Sequence, residues 1–154
     1  MRFRKLKKQI KHQTLIINEK VIYAKIAERI KAFITDMFMI YIPILYILTY
    51  LVMDGKDSFQ SSTLAPFIGV SLYGFISSIL LYKFGQTPGK KAYLIKVVDA
   101  STLQNISFFQ ALLRFISFLF SATILLGLIV PFYRKDKRSL HDLIAKTVVI
   151  SLED

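Results

Sequence analysis

The chain has 154 residues, 54% of them hydrophobic, with a mean hydropathy of +0.49; that length allows one domain and little more. A soluble domain this small cannot hide so much apolar surface, so composition argues against a water-soluble enzyme. Lys and Arg number 21 against 10 Asp and Glu, a net charge of +11, which suits nucleic acid or an anionic membrane surface. Position decides between these two, because ten of the cations precede residue 32 and the long apolar runs begin directly after it.

Residues 1–21 read as a basic arm, either an amphipathic helix on the bilayer surface or a solvated tail that enforces orientation. The start has the charge of a signal-peptide n-region, but Lys20, Lys25, Glu28, Arg29 and Lys31 interrupt any cleavable apolar core, so the N-terminus is expected to be retained. The arm carries only Phe3 before Tyr23 and lacks the interleaved aromatics of nucleic-acid channels. Its expected partner is anionic lipid headgroups, not nucleic acid.

The first apolar segment covers about 32–53, long enough to span a hydrocarbon core of ~30 Å. Pro43 near its middle removes a backbone donor and predicts a kink. The second covers 64–82, where Ser71, Gly74 and Ser78 share one face. Such a small-residue stripe lets helices approach closely, and it raises the expectation of a homo-oligomer or of another membrane protein as partner. Gly85 to Lys91 reads as a tight turn that sets Lys90 and Lys91 against lipid phosphates. It superficially resembles a phosphate loop, but it is one residue short between the glycines and has no Ser or Thr after the lysine. Residues 92–99 and 145–150 are β-branched and read as short strands. The third apolar segment, about 111–133, contains Arg114, Gly127 and Pro131.

Loop charges place the N-terminus and the 83–110 loop in the cytoplasm and the 54–63 loop outside. A third full span would carry the five cations from Arg134 onward to the outside. The alternative is a re-entrant pair of short helices turning near Ser121 to Thr123, which keeps the C-terminus cytoplasmic and lets the two strands pair. The charge count favours the second arrangement.

Cysteine is absent and the only histidines are His12 and His141, so no disulfide, thiolate or multi-ligand metal centre is expected. No nucleophile–base pair is recognisable. Neither enzymatic activity nor a cofactor is expected.

Three segments carry a family resemblance. Tyr23-Ala24, Arg29, Ala32-Phe33 and Asp36 lead into the first apolar run. Gly85-Gln86-Thr87-Pro88-Gly89-Lys90 is followed by Lys96-Val-Val-Asp99. His141-Asp142-Leu-Ile-Ala-Lys146-Thr147-Val-Val149 closes the chain, with Lys146 where the pattern prefers Gly. In these segments the chain resembles the RDD family of small membrane proteins over roughly 22–150, leaving 151–154 as a tail. The resemblance implies that Arg29 is the family arginine and Asp36 the first aspartate. The second would be Asp142, with Asp99 the weaker candidate. It also implies a membrane module of unsettled function, for which transport has been suggested.

Asp36 needs a physical explanation, since a carboxylate inside an apolar helix costs ~2.5–3.5 kcal/mol on insertion scales. Arg29 lies seven residues earlier on the same face, ~10 Å away along the axis, and Arg114 enters the third run at similar depth. Arg29, if its long side chain reaches up, and Arg114 are the two candidate partners, and an Asp36–Arg114 pair would tie the first helix to the third. Either Arg29, Asp36, Arg114 and Asp142 form a structural ion-pair cluster, or Asp36 binds a cation or proton in a water-filled cavity. The sequence thus points to an all-α polytopic protein of the bacterial cytoplasmic membrane. Two clear transmembrane helices, a third apolar segment and short cytoplasmic β-strands compose it, and its role is either a transport-associated module or a non-catalytic scaffold.

Overall fold

The computed structural model describes residues 4, 5, 7–9, 21–124, 131–133, 135 and 137–153. The expectation for the basic arm falls mostly outside these residues. Helix α1 spans Ile26–Val52, 27 residues, and begins well before the apolar run at 32. Its start is fixed by a cap, in which the Glu28 carboxylate accepts the Lys25 backbone N–H at 3.1 Å. Within this first polar stretch Ala32 and Asp36 are buried against the rest of the chain. At Pro43 the sequence effect is a widened turn: Met37–Tyr41 is π-helical, and the Ile42 N–H reaches back to the Met37 carbonyl. Proline has no N–H for the carbonyl one turn back and its ring crowds that carbonyl; an extra residue in the preceding turn relieves the crowding.

A short helix α2, Lys56–Ser61, leads to α3, Ala65–Phe84, 20 residues long. Helix α3 stops at Gly85, whose φ of 68° lets its N–H close on the Leu81 carbonyl at 2.8 Å. The one-turn helix α4, Pro88–Ala92, follows. Strands β1, Ile95–Asp99, and β2, Thr147–Ser151, pair antiparallel with Val97 opposite Val149 and Asp99 opposite Thr147. Both strands begin later than the sequence suggests. Ala92 still belongs to α4, and left-handed residues at Leu94 and Lys146 (φ 51° and 56°) turn the chain just before each strand. The segment before α1 joins the same sheet edge through Ser151 N–H to Ile22 O (2.7 Å) and Ala24 N–H to Val149 O (3.1 Å). Ala24, Ala32, Leu81, Ile95, Val97, Ile106, Ala111 and Val149 form the buried apolar core beneath.

Helix α5, Phe108–Ile124, has 17 residues, and α6, Leu140–Ala145, packs against it. The turn expected near Ser121 to Thr123 does not occur there. Ser121 Oγ and Thr123 Oγ1 donate to the Ser117 and Leu119 carbonyls, each at 2.8 Å, so their hydroxyls are satisfied within a continuing helix. Because β2 pairs with β1, and β1 lies just before α5, the apolar run begins and ends on one face of the molecule. That is the geometry expected of a returning segment.

Helices α1 and α3 are long and apolar enough to cross a membrane, with mean hydropathies of 1.8 and 1.6. Only 28% and 33% of their most apolar windows is buried inside the chain, so most of each helix faces outward, unlike the core helix of a soluble protein. The small-residue stripe on α3 is partly occupied within the single chain. A Cβ on Gly74 would stand 2.0 Å from the Phe115 ring of α5, and Ser78 is buried while Ser71 remains exposed. The stripe therefore gives close α3–α5 packing within the chain.

Candidate functional site

Helices α1, α5 and α6 meet at one carboxylate. Asp142 is fully buried at 0% exposure in the first turn of α6, where sequence and cap coincide: Ser139 is the N-cap, and its N–H and hydroxyl both donate to Asp142 Oδ2, at 3.0 and 2.9 Å. The same oxygen takes Arg29 Nη2 at 2.6 Å, from α1. The other oxygen, Oδ1, takes Arg114 Nη1, from α5. Arg114 Nη1 also donates to Thr147 Oγ1 at 2.8 Å, which joins the junction to β2. Arg29 reaches the Lys137 carbonyl through Nη1 and Ser139 Oγ through Nη2 at 3.3 Å. Arg138 braces the same turn from behind, with Nε 3.0 Å from the Thr147 carbonyl. Two guanidinium groups on one buried carboxylate satisfy its acceptor sites in a charge-assisted geometry.

Asp36 is also buried, at 1% exposure, but it is not part of that junction. The expected arginine partner is replaced by neutral donors from the loop after α3. Thr87 Oγ1 donates to Oδ2 at 2.5 Å and the Gly89 N–H donates to Oδ1 at 2.7 Å. Its charged neighbour is Lys90, 3.8 Å away. This is a correction to the Asp36–Arg114 pairing, and its cause is packing: α4 presses so closely on α1 that a Cβ at Gly89 would lie 2.1 Å from the Ala32 carbonyl. That approach brings an amide N–H to the carboxylate before any arginine reaches it.

The loop motif is otherwise structural. Gly85 ends α3, and Gln86 Nε2 holds the Ile95 carbonyl at 3.0 Å. Thr87 caps α4 while donating to Asp36. Lys91 is exposed, but Lys90 turns inward rather than toward headgroups. Burial pulls its ammonium down to about 8 against the pull of Asp36, and Arg114 and Arg29 add to the depression.

His141 is buried with its ring edge-on to Phe118, centroids 5.4 Å apart, and its Nε2 lies 2.9 Å from Ser139 Oγ. Burial, then the fields of Arg114, Arg29 and Lys90, hold its pKa well below the ordinary histidine range, so it is neutral at pH 7. Asp99 has a different task from Asp142. It accepts from the Ser101 N–H (2.8 Å), the Thr102 N–H (3.1 Å) and Gln110 Nε2 (2.7 Å), organising the turn from β1 toward α5. Burial raises its pKa, but the hydrogen bonds from Ser101, Gln110 and Thr102 outweigh this and bring it down to about 2.

Between these two carboxylates lies a cavity of about 410 Å³. Arg29, Lys90 and Arg114 line it, with Ser77 and Thr87, while Phe33, Phe115, Phe118 and Phe132 supply apolar walls. Neither aspartate is part of the lining. Among the described residues no group of three or more His, Cys, Asp or Glu side chains is placed to hold a metal ion.

The RDD family model matches residues 23–146. The chain belongs to the RDD family. No curated protein and no solved structure matches it. The three segments that carry the resemblance contribute to both carboxylate sites, and within this RDD protein Arg29 and Asp142 are directly bonded. Together with α1 and α3, the family marks this as a membrane protein. Sequence reasoning missed Ser139 and Ser77. The first was legible as Ser-x-x-Asp ahead of an apolar turn; the second is one serine in an apolar helix, with no local signal.

Proposed function

We propose that this RDD protein is a non-catalytic, polytopic module of the bacterial cytoplasmic membrane, with its N- and C-terminal segments on the cytoplasmic side. In this reading the Arg29–Asp142–Arg114 junction is structural and holds a basic cavity in shape for binding. The observation that carries this is the placement of the carboxylates. Asp142 is saturated by donors from three helices, and Asp36 is held by Thr87 and Gly89, with its oxygens outside the cavity lining. A cation or proton carrier would want its carboxylate in the water-filled space. Here three cations face that space instead, a poor environment for another cation. The basic segments before α1 and after α3, against the slightly acidic loop between them, support the orientation.

Proteoliposomes give the test. The reading expects no proton- or cation-driven flux through the wild-type protein, and lower abundance of Asp36→Asn because a folding contact is lost. A cation flux in the wild type that Asp36→Asn abolishes while the protein stays folded would overturn it in favour of transport.

A further inference from the structure

The cavity has more positive charge and more unused donors than a structural junction needs. Arg114 bonds described residues only through Nη1, and a guanidinium has five N–H donors; its Nε and Nη2 have no partner among the described residues. Lys90 has one ion-pair partner among the described residues, Asp36 at 3.8 Å, and no hydrogen bond from its ammonium among them. Ser77, 8% exposed on α3, has a buried Oγ with no partner at hydrogen-bond geometry among the described residues, and the Tyr73 hydroxyl is its polar neighbour. All of these groups line one space. A buried donor left unmatched is costly, and Ser77 Oγ is such a group; with the unused Arg114 and Lys90 donors lining the same space, the convergence is the mark of an acceptor that completes them.

The rest of the lining gives the other half of the ligand. Ile30, Phe33 and Phe132 belong to the cavity wall and are also exposed at the molecular surface, at 52%, 38% and 66%. The cavity is thus polar and cationic at its inner end and apolar where it opens between α1 and residues 131–133. A volume of about 410 Å³ lies in the usual range of small-molecule sites. We propose that this cavity binds the oxyanion headgroup of an amphiphile, a phosphate diester or a carboxylate, between Arg114, Lys90 and Ser77, with its acyl chain leaving past Phe33 and Phe132. The proposal rests on the reading of the arginine–aspartate junction as structural, because Arg29 and Arg114 must be held in place without consuming every donor.

Purified, delipidated full-length protein in a neutral detergent tests it by thermal unfolding and by native mass spectrometry. The probes are phosphatidylglycerol, phosphatidylcholine, oleate and inorganic phosphate. A saturable rise in Tm with phosphatidylglycerol or oleate, absent with phosphatidylcholine, supports the proposal, and the stronger of the two names the headgroup. Lys90→Gln should weaken that binding by about tenfold, the usual worth of a hydrogen bond to a charged group. Ser77→Ala removes no ion pair from the unliganded protein, so it should stay folded and still weaken binding. Equal stabilisation by phosphatidylcholine, no saturable binding by either anionic amphiphile, or full reproduction of the effect by inorganic phosphate would overturn the proposal. So would wild-type affinity in both variants. Flux through Asp36 with lipid binding intact would sink the scaffold reading alone, so the two failures are separable.

Discussion

Replacing Asp142 by Asn keeps the size of the side chain and removes its charge. The carboxylate is wholly buried and takes Arg29 on one oxygen and Arg114 on the other, with the Ser139 N–H and hydroxyl completing Oδ2. An amide can accept on its oxygen alone, and its NH2 group must point at a guanidinium. Two arginine side chains are then left buried without a counter-charge. Breaking a buried ion pair from one side costs ~3–5 kcal/mol, a large share of the ~5–15 kcal/mol that holds a typical domain together. Arg29→Gln and Arg114→Gln should each cost less, because Asp142 keeps one guanidinium. The double variant should depart from additivity by ~0.5–3 kcal/mol, as expected of groups that share a partner. Reversible unfolding in bicelles followed by far-ultraviolet circular dichroism measures all four. An Asp142→Asn protein within about 1 kcal/mol of wild type would refute the reasoning, since a desolvated two-arginine junction cannot lose its anion so cheaply.

Gly89→Ala would place a methyl 2.1 Å from the Ala32 carbonyl, a backbone contact that cannot rotate away. A loss of ~1–3 kcal/mol or more in the same unfolding assay is expected, as for overpacked cores. Lys146 closes α6 in the left-handed region, φ 56°, where a side chain costs ~1–2 kcal/mol, partly offset by the greater chain entropy of glycine. Lys146→Gly should therefore stabilise the protein by ~0.5–1 kcal/mol, raising Tm measurably. For Asp99 the folded-state pKa, about 2, lies below the ordinary 3.8. Its contribution is thus complete above about pH 4 and is lost as the pH falls from there toward 2. A pH series of unfolding curves should show that loss in wild type and a flatter response in Asp99→Asn.

How much of this was legible in the sequence depends on the kind of signal. The two apolar helices were, because hydrophobic length alone sets them. So were the two strands in outline, because Val97, Val98, Val148 and Val149 are β-branched and flanked by turns. Where each strand starts was not, since nothing local marks Leu94 as left-handed. The family pattern singled out Arg29 and Asp142 but not their bond to each other, and Lys146, a departure from the pattern, occupies the conformation that explains the preference for glycine. The partner of Asp36 was not legible. A carboxylate in an apolar helix calls for a cation by charge arithmetic, whereas the fold supplies a threonine hydroxyl and a glycine amide from more than fifty residues away, neither of which has a charge to count. Helical spacing put Arg29 on the same face as Asp36, but a long side chain follows the stronger acceptor, and Ser139 with Asp142 offered it.

The central claim is that the third apolar run returns, so that Arg114 near its start and Asp142, in the helix that follows it, meet Arg29 on one face. The chain has no cysteine, so introduced pairs report without background. Lys96 and Ile150 stand opposite each other across β1 and β2. In isolated membranes the Lys96→Cys/Ile150→Cys protein should form an intramolecular disulfide on mild oxidation, keeping its fragments joined after proteolysis between the two sites. Lys96→Cys/Tyr50→Cys, with its second site at the far end of α1, should not. Failure of the 96–150 pair to close, with the two cysteines labelled by impermeant reagent from opposite sides of the membrane, would contradict the account.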